Sequence, residues 1–130
     1  MPRDRFVREI LPNQADAGLQ DDLDALVPDR LAVSIVTIGE LLAGVLSAVD
    51  VDARDRRLST LTAALALDPV PIDEAIAASR ARLRIALRDE GLRMPVNDSW
   101  IAGTAAALGV PVVTQDDDFP ELDEFELLRV

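Results

Sequence analysis

Residues 97–119, NDSWIAGTAAALGVPVVTQDDDF, decide how this chain is read. An acid opens an Ala-rich stretch, Gly109 interrupts it, a β-branched run follows, and three consecutive acids precede Phe119. Asn97 ahead of Asp98 is a helix-start signature and Gly109 sits where a left-handed terminator belongs, so the spacing predicts a helix from Asp98 to Leu108. VPVVT at 110–114 then reads as a strand. Carboxylates therefore flank both ends of one helix-strand unit.

The same alternation continues outward. LAVSIV at 31–36 is a short apolar run that predicts a strand, and TIGELLAGVLSAV after it places Leu41, Leu42, Val45 and Leu46 at helical spacing. Asp55 to Leu67 carries Leu58, Leu61 and Leu65 on one face, a second helix. DPVPI at 68–72 is apolar but interrupted by Pro, which suits an edge strand or a loop. Asp73 is placed to cap a third helix with Ile76, Leu83 and Leu87 as its buried stripe and Gly91 as its stop. FELLRV at 125–130 predicts a last strand. Strands alternating with helices imply an α/β fold, a single domain over 1–130 with a mainly parallel sheet. The first 30 residues fit less well. In RFVREIL, Phe6, Val7, Ile10 and Leu11 recur at helical spacing, and the polar stretch after them reads as loop with a short helix, so the first strand is expected to be atypical or missing.

Absences limit the chemistry. The 130 residues contain no Cys, His, Lys or Tyr, which excludes a thiolate nucleophile, a Cys or His zinc site, a histidine base, a Schiff-base lysine and a Ser-His-Asp triad. What remains is 24 carboxylates and 13 arginines. Any catalysis must be carboxylate work, as acid and base or through a hard cation bound by oxygen. No apolar run approaches the roughly 18 residues of a membrane span, and the N-terminus lacks the apolar centre of a secretory signal, so a soluble cytoplasmic protein without a membrane partner is expected. A net charge of −11 opposes non-specific binding to nucleic acid. Arg54, Arg56 and Arg57, and Arg80, Arg82, Arg84, Arg88 and Arg93, nevertheless cluster, either as solvated helix faces paired with acids or as contacts for phosphate.

Open α/β sheets bind ligands beyond the carboxyl ends of their strands. Glu40 follows the strand at 31–36, Asp98 opens a helix, and Asp116 lies two residues past Thr114. Each has a local explanation: a capping box from Thr37 to Glu40, a helix dipole at Asp98, a polar turn at Asp116. Gathered on one rim they would repel, and a divalent cation is the simplest way to make such a cluster tolerable.

SIVTIGELLAGV and NDSWIAGTAAALGVPVVTQDDDF, with the helices between them, resemble a PIN-domain protein of the VapC type over about residues 30–130. The resemblance implies a three-layer α/β/α domain and an endoribonuclease dependent on Mg²⁺ or Mn²⁺ that leaves a 3′-hydroxyl and a 5′-phosphate. It also implies a homodimer neutralised by a cognate VapB-like antitoxin, with tRNA, rRNA or mRNA as substrate. Glu40 matches the acid after the second strand, Asp98 the acid of the ND motif and Asp116 the acid of TxD, with Asp118 as an auxiliary ligand. Thr114 either orients a carboxylate or a water by hydrogen bonding or, as a strand-end residue, satisfies local backbone. The family's first strand ends in Asp-[Thr or Ser]-Ser, which this chain lacks; Glu9 in FVREIL has the right separation from Glu40 without the following hydroxyls. Helical spacing would leave Glu9 exposed. A PIN-fold protein that binds an antitoxin or another toxin subunit without cutting RNA is the alternative implied by that departure. Receiver-like and dehalogenase-like phosphate sites also place acids at strand ends, but both use a lysine.

Overall fold

The computed structural model describes residues 5–11 and 31–130. Among them, strands β1 (Phe6–Arg8), β2 (Leu31–Ala32), β3 (Val112–Thr114) and β4 (Leu127–Arg129) form one parallel sheet in the order β2-β1-β3-β4. Helices α1 (Ile35–Leu46), α2 (Val51–Leu65), α3 (Glu74–Asp89) and α4 (Val96–Leu108) cover it. Alternation along the strands divides the core between two faces. Val7, Ala32 and Val112 point toward Leu83 and Leu87 of α3 and Ile101, Ala102 and Ala105 of α4. Ile10 and Val33, on the opposite parity, meet Leu41 and Val45 of α1 and Leu61 and Ala64 of α2. The result is the expected α/β/α sandwich.

The N-terminal expectation is corrected. Phe6–Arg8 is a strand, and it lies in the middle of the sheet between β2 and β3. Val7 N–H donates to Pro111 O and Glu9 N–H to Val113 O, both at 2.9 Å. Seven residues are too few for periodicity to outweigh a slot with backbone partners on both sides. The loop and short helix expected further on, within residues 12–30, lie outside the described residues.

Smaller corrections follow from capping. The strand predicted at 31–36 ends at Ala32, because the Ser34 hydroxyl accepts from Val36 N–H at 3.1 Å and starts α1 at Ile35. Thr37 is thus inside the helix rather than its cap, and Glu40 stands in the second turn. The segment 68–72 contributes a single parallel bridge between Val70 and Ser34. Asp73 does cap α3, accepting from Ile76 N–H at 2.8 Å, and Gly109 ends α4 with φ 69°. Within the cluster at 54–57, Arg57 crosses from α2 to donate to Gly44 O at 2.8 Å.

Helices α3 and α4 meet at Gly103, where an added Cβ would stand 3.0 Å from Arg80 Cβ and 3.2 Å from its Cα and N. Helix propensity favours Ala by about 1 kcal/mol, but backbone atoms on the facing helix cannot yield cheaply and overpacking costs about 1–3 kcal/mol. Gly103→Ala is therefore expected to lower the Tm by several degrees in a thermal melt; an unchanged or raised Tm would show that the helices separate freely.

Candidate metal centre

Four carboxylates converge at the carboxyl edge of the sheet, each delivered by a different element. Glu9 is the first residue past β1 and is only 2% exposed. Its Oε1 accepts from the Thr114 hydroxyl at 2.5 Å, joining the ends of β1 and β3. The Glu9 and Asp98 carboxyls share a hydrogen bond, and Asp116 adds its charge from just past the end of β3. Burial first, then the bond to Asp98 and the repulsion from Asp98 and Asp116, push the Glu9 pKa up to about 9 against the Thr114 bond, which pulls it down. At neutral pH Glu9 holds a proton that keeps the crowded rim from carrying its full charge.

Asp98 occupies the first turn of α4 and is 8% exposed. The helix enters through Pro95, whose fixed φ suits the start of a helix and which makes no side-chain cap bond. Asn97 is consequently within the first turn and does not cap it. Its side chain instead hydrogen-bonds to the Glu40 carboxylate from α1. Burial and the nearby Asp98 charge raise the Glu40 pKa, with Asn97 opposing the shift. The ND pair thus does two jobs, one residue entering the cluster and the other holding a second acid in place.

Asp116 sits in the turn after β3. Thr114 Oγ1 accepts from Asp116 N–H at 2.9 Å, so one hydroxyl ties both Glu9 and the Asp116 backbone. Asp116 Oδ1 in turn accepts from Asp118 N–H at 2.9 Å. Phe119, buried edge-on against Phe125 with ring centroids 5.9 Å apart, anchors this turn, and Arg129 Nη2 donates to Phe119 O at 2.6 Å. Asp118 itself is exposed and contributes its backbone to the turn.

The sequence-predicted acids Glu40, Asp98 and Asp116 are brought together. Glu9, expected on an exposed helix, is the most enclosed of the four. Asn97 was legible only as a cap, and no local signal marks it as a partner of Glu40, 57 positions earlier in the chain. Among the described residues no three acids are drawn tightly enough to hold a metal ion as they stand. The rim is a set of donors in pairwise contact, with the Glu9 proton standing in for positive charge. Such oxygen-only donors suit Mg²⁺ or Mn²⁺ and do not suit zinc or copper.

Of the arginine cluster on α3, Arg80 is tied into the helix pair: its Nε donates to Ser99 Oγ at 3.0 Å and its guanidinium lies 4.3 Å from the centre of the Trp100 ring. Arg88 pairs with Asp89 at the surface.

A family model described as the PIN domain matches residues 8–125. Ribonuclease VapC5 of Mycobacterium tuberculosis (strain ATCC 25618 / H37Rv) is 46% identical over 118 residues, covering 88% of this chain and 87% of that protein. Ribonuclease VapC4 of the same strain is 45% identical over 108 residues, covering 79% and 83%. The crystal structure of a member of the VapBC family of toxin-antitoxin systems, VapBC-5 from Mycobacterium tuberculosis, superposes with a TM-score of 0.83 at 41% identity, covering 98% of this chain and 99% of that one.

Proposed function

Because the chain belongs to the PIN-domain family and within it to the VapC ribonucleases, we propose that it is the toxin of a toxin-antitoxin pair, an endoribonuclease that hydrolyses RNA phosphodiesters with a divalent cation held by Glu9, Glu40, Asp98 and Asp116. The observation that carries this reading is the convergence of those four carboxylates from four elements on one rim, in a chain without His, Cys or Lys. Asp118 is an auxiliary donor at the mouth.

Bound there, Mg²⁺ or Mn²⁺ supplies polarisation of the scissile phosphate and a water acidic enough to attack near neutral pH without a histidine. The protein's part is to place and release protons and oxygens. Glu9 must lose its proton to serve as a donor, and the Thr114 hydroxyl already favours the ionised form. Asn97 fixes the direction of Glu40, and the turn through Asp118 N–H fixes that of Asp116. An incoming RNA phosphate is held against an acidic rim only through positive charge bound between them, which makes substrate binding and cation binding interdependent.

The partners of this reading are an RNA substrate, a VapB-like antitoxin and a second copy of the chain, in the cytoplasm where RNA is found. Support for protein partners comes from the surface of α1 and α2. Leu42, Leu46, Val49, Val51, Leu58 and Leu65 are exposed there, Leu46 at 74%, more apolar surface than a solitary helix pair needs. Among the described residues no helix is long and apolar enough to cross a membrane.

The test is cleavage of labelled tRNA and single-stranded RNA by the purified chain. Cutting is expected with Mg²⁺ or Mn²⁺, absent in EDTA, and restored when the cation is returned in excess. A folded, monodisperse protein that cuts neither RNA with either cation would overturn the nuclease and leave the non-cutting, antitoxin-binding reading.

A further inference from the structure

Among the described residues, Thr37 carries a hydroxyl with nothing to bond to. The residue is 1% exposed, and its Oγ1 is buried without a hydrogen-bond partner. A helical threonine ordinarily satisfies its hydroxyl on the carbonyl four residues earlier. Thr60, Thr62 and Thr104 do so, donating to Arg56 O, Leu58 O and Trp100 O at 3.3, 2.9 and 2.8 Å. Thr114, on β3, bonds Glu9. For Thr37 the corresponding carbonyl is Val33 O, which already accepts from Val70 N–H at 2.8 Å, while Ser34 O accepts Thr37's own N–H at 3.0 Å. The usual acceptor thus already carries one hydrogen bond, and the Thr37 hydroxyl does not add a second to it.

The position gives the hydroxyl its meaning. Thr37 lies in the first turn of α1, at the carboxyl edge of the sheet, three residues before Glu40 and so on the same side of the helix. Glu40 faces Asn97 and Asp98, and α1 touches α4. A buried unpaired hydroxyl is destabilising, and Val would fill the same volume at no such cost. A polar group kept at that cost beside a carboxylate cluster is accounted for if its partner arrives with a ligand.

We infer that Thr37 is a positioning residue of the carboxylate rim, whose Oγ1–H is satisfied only when a divalent cation is bound, by donating to the oxygen shell that then forms, either the Glu40 carboxylate or a water held against it. The inference rests on the cation-dependent reading of the rim above. It assigns Thr37 no contact with RNA and no share in proton transfer.

The experiment measures Mn²⁺ binding by calorimetry, and thermal stability in EDTA, for the parent chain, Thr37→Val, Thr37→Ser and Thr37→Ala. Thr37→Val is expected to melt at or above the parent's temperature in EDTA yet to bind Mn²⁺ roughly 10-fold more weakly, the size typical of losing an outer-shell partner. Thr37→Ser and Thr37→Ala remove the same methyl and differ in the hydroxyl, so they isolate it even if Thr37→Val folds poorly; Ser should keep the parent's affinity and Ala lose it. Equal Mn²⁺ affinity in Ser and Ala, or in Val and parent, overturns the role of Thr37 while leaving the metal centre intact. A folded parent that binds no Mn²⁺ overturns both.

Discussion

Asp98→Asn is expected to reduce metal-dependent RNA cleavage by at least about 100-fold while leaving the protein folded. Asp98 links two other acids, sharing a hydrogen bond with Glu9 and acting on Glu40 through its charge. Losing an outer-shell partner of a metal costs roughly 10- to 100-fold, so loss of a direct oxygen donor at the centre of the cluster should cost more. The substitution keeps shape and removes one negative charge from a crowded rim, which relieves Glu9 and Glu40. The Tm in EDTA should accordingly not fall. Cleavage of labelled RNA under saturating Mn²⁺, beside a thermal melt, reads both quantities. A variant that cuts within tenfold of the parent would remove Asp98 from the metal centre, and a variant that fails to fold would make its role structural.

Glu9→Gln should separate the stability of the rim from its chemistry. Folded Glu9 keeps its proton to about pH 9, whereas an unfolded chain releases it near 4.5. Between those values the unfolded state binds fewer protons, so the favourable contribution is fully present below about 4.5, falls as pH rises, and is gone above about 9. One proton gives a slope of at most about 1.4 kcal/mol per pH unit. Glu40, also raised, acts in the same direction. Gln reproduces the protonated carboxyl, with an amide to donate to Asp98 and an oxygen to accept from Thr114, and does not titrate. In EDTA at pH 8, Glu9→Gln is therefore expected to be more stable than the parent by on the order of a few kcal/mol, with little difference at pH 4.5. Adding Mn²⁺ should restore the parent at pH 8 and do much less for the variant, since binding to the native state stabilises by mass action. Urea melts at several pH values decide the matter: parallel curves for the two proteins across that range would mean that Glu9 is ionised and solvated in the folded chain.

These two substitutions probe residues of different legibility. Asp98 could be placed from the sequence because its helix is signalled from both ends and its neighbours form a recognisable motif. Glu9 could not. The residues around it, Val7, Arg8 and Ile10, alternate poorly for a central strand, which in a parallel sheet is normally an unbroken apolar run. Only the gap between β2 and β3, with its open N–H and C=O groups on both sides, turns Phe6–Arg8 into a strand and carries Glu9 to the rim.

The sequence by itself determined the order of helices and strands after residue 30, the Asp73 cap, the Gly109 stop, and the restriction of any chemistry to carboxylates. These depend on periodicity, local backbone preference and residue inventory, all of which act within a few residues or on composition alone. Tertiary structure decided which strand is central, that Asn97 holds Glu40, and that Thr37 is left with an unspent hydroxyl. Each of those depends on a partner far away in the chain: residue 113 for Glu9, residue 97 for Glu40, residue 70 for the carbonyl nearest the Thr37 hydroxyl in helical register. Hydrogen-bond satisfaction is counted over the whole fold, so the contacts that assemble this rim could not be read from either of their ends.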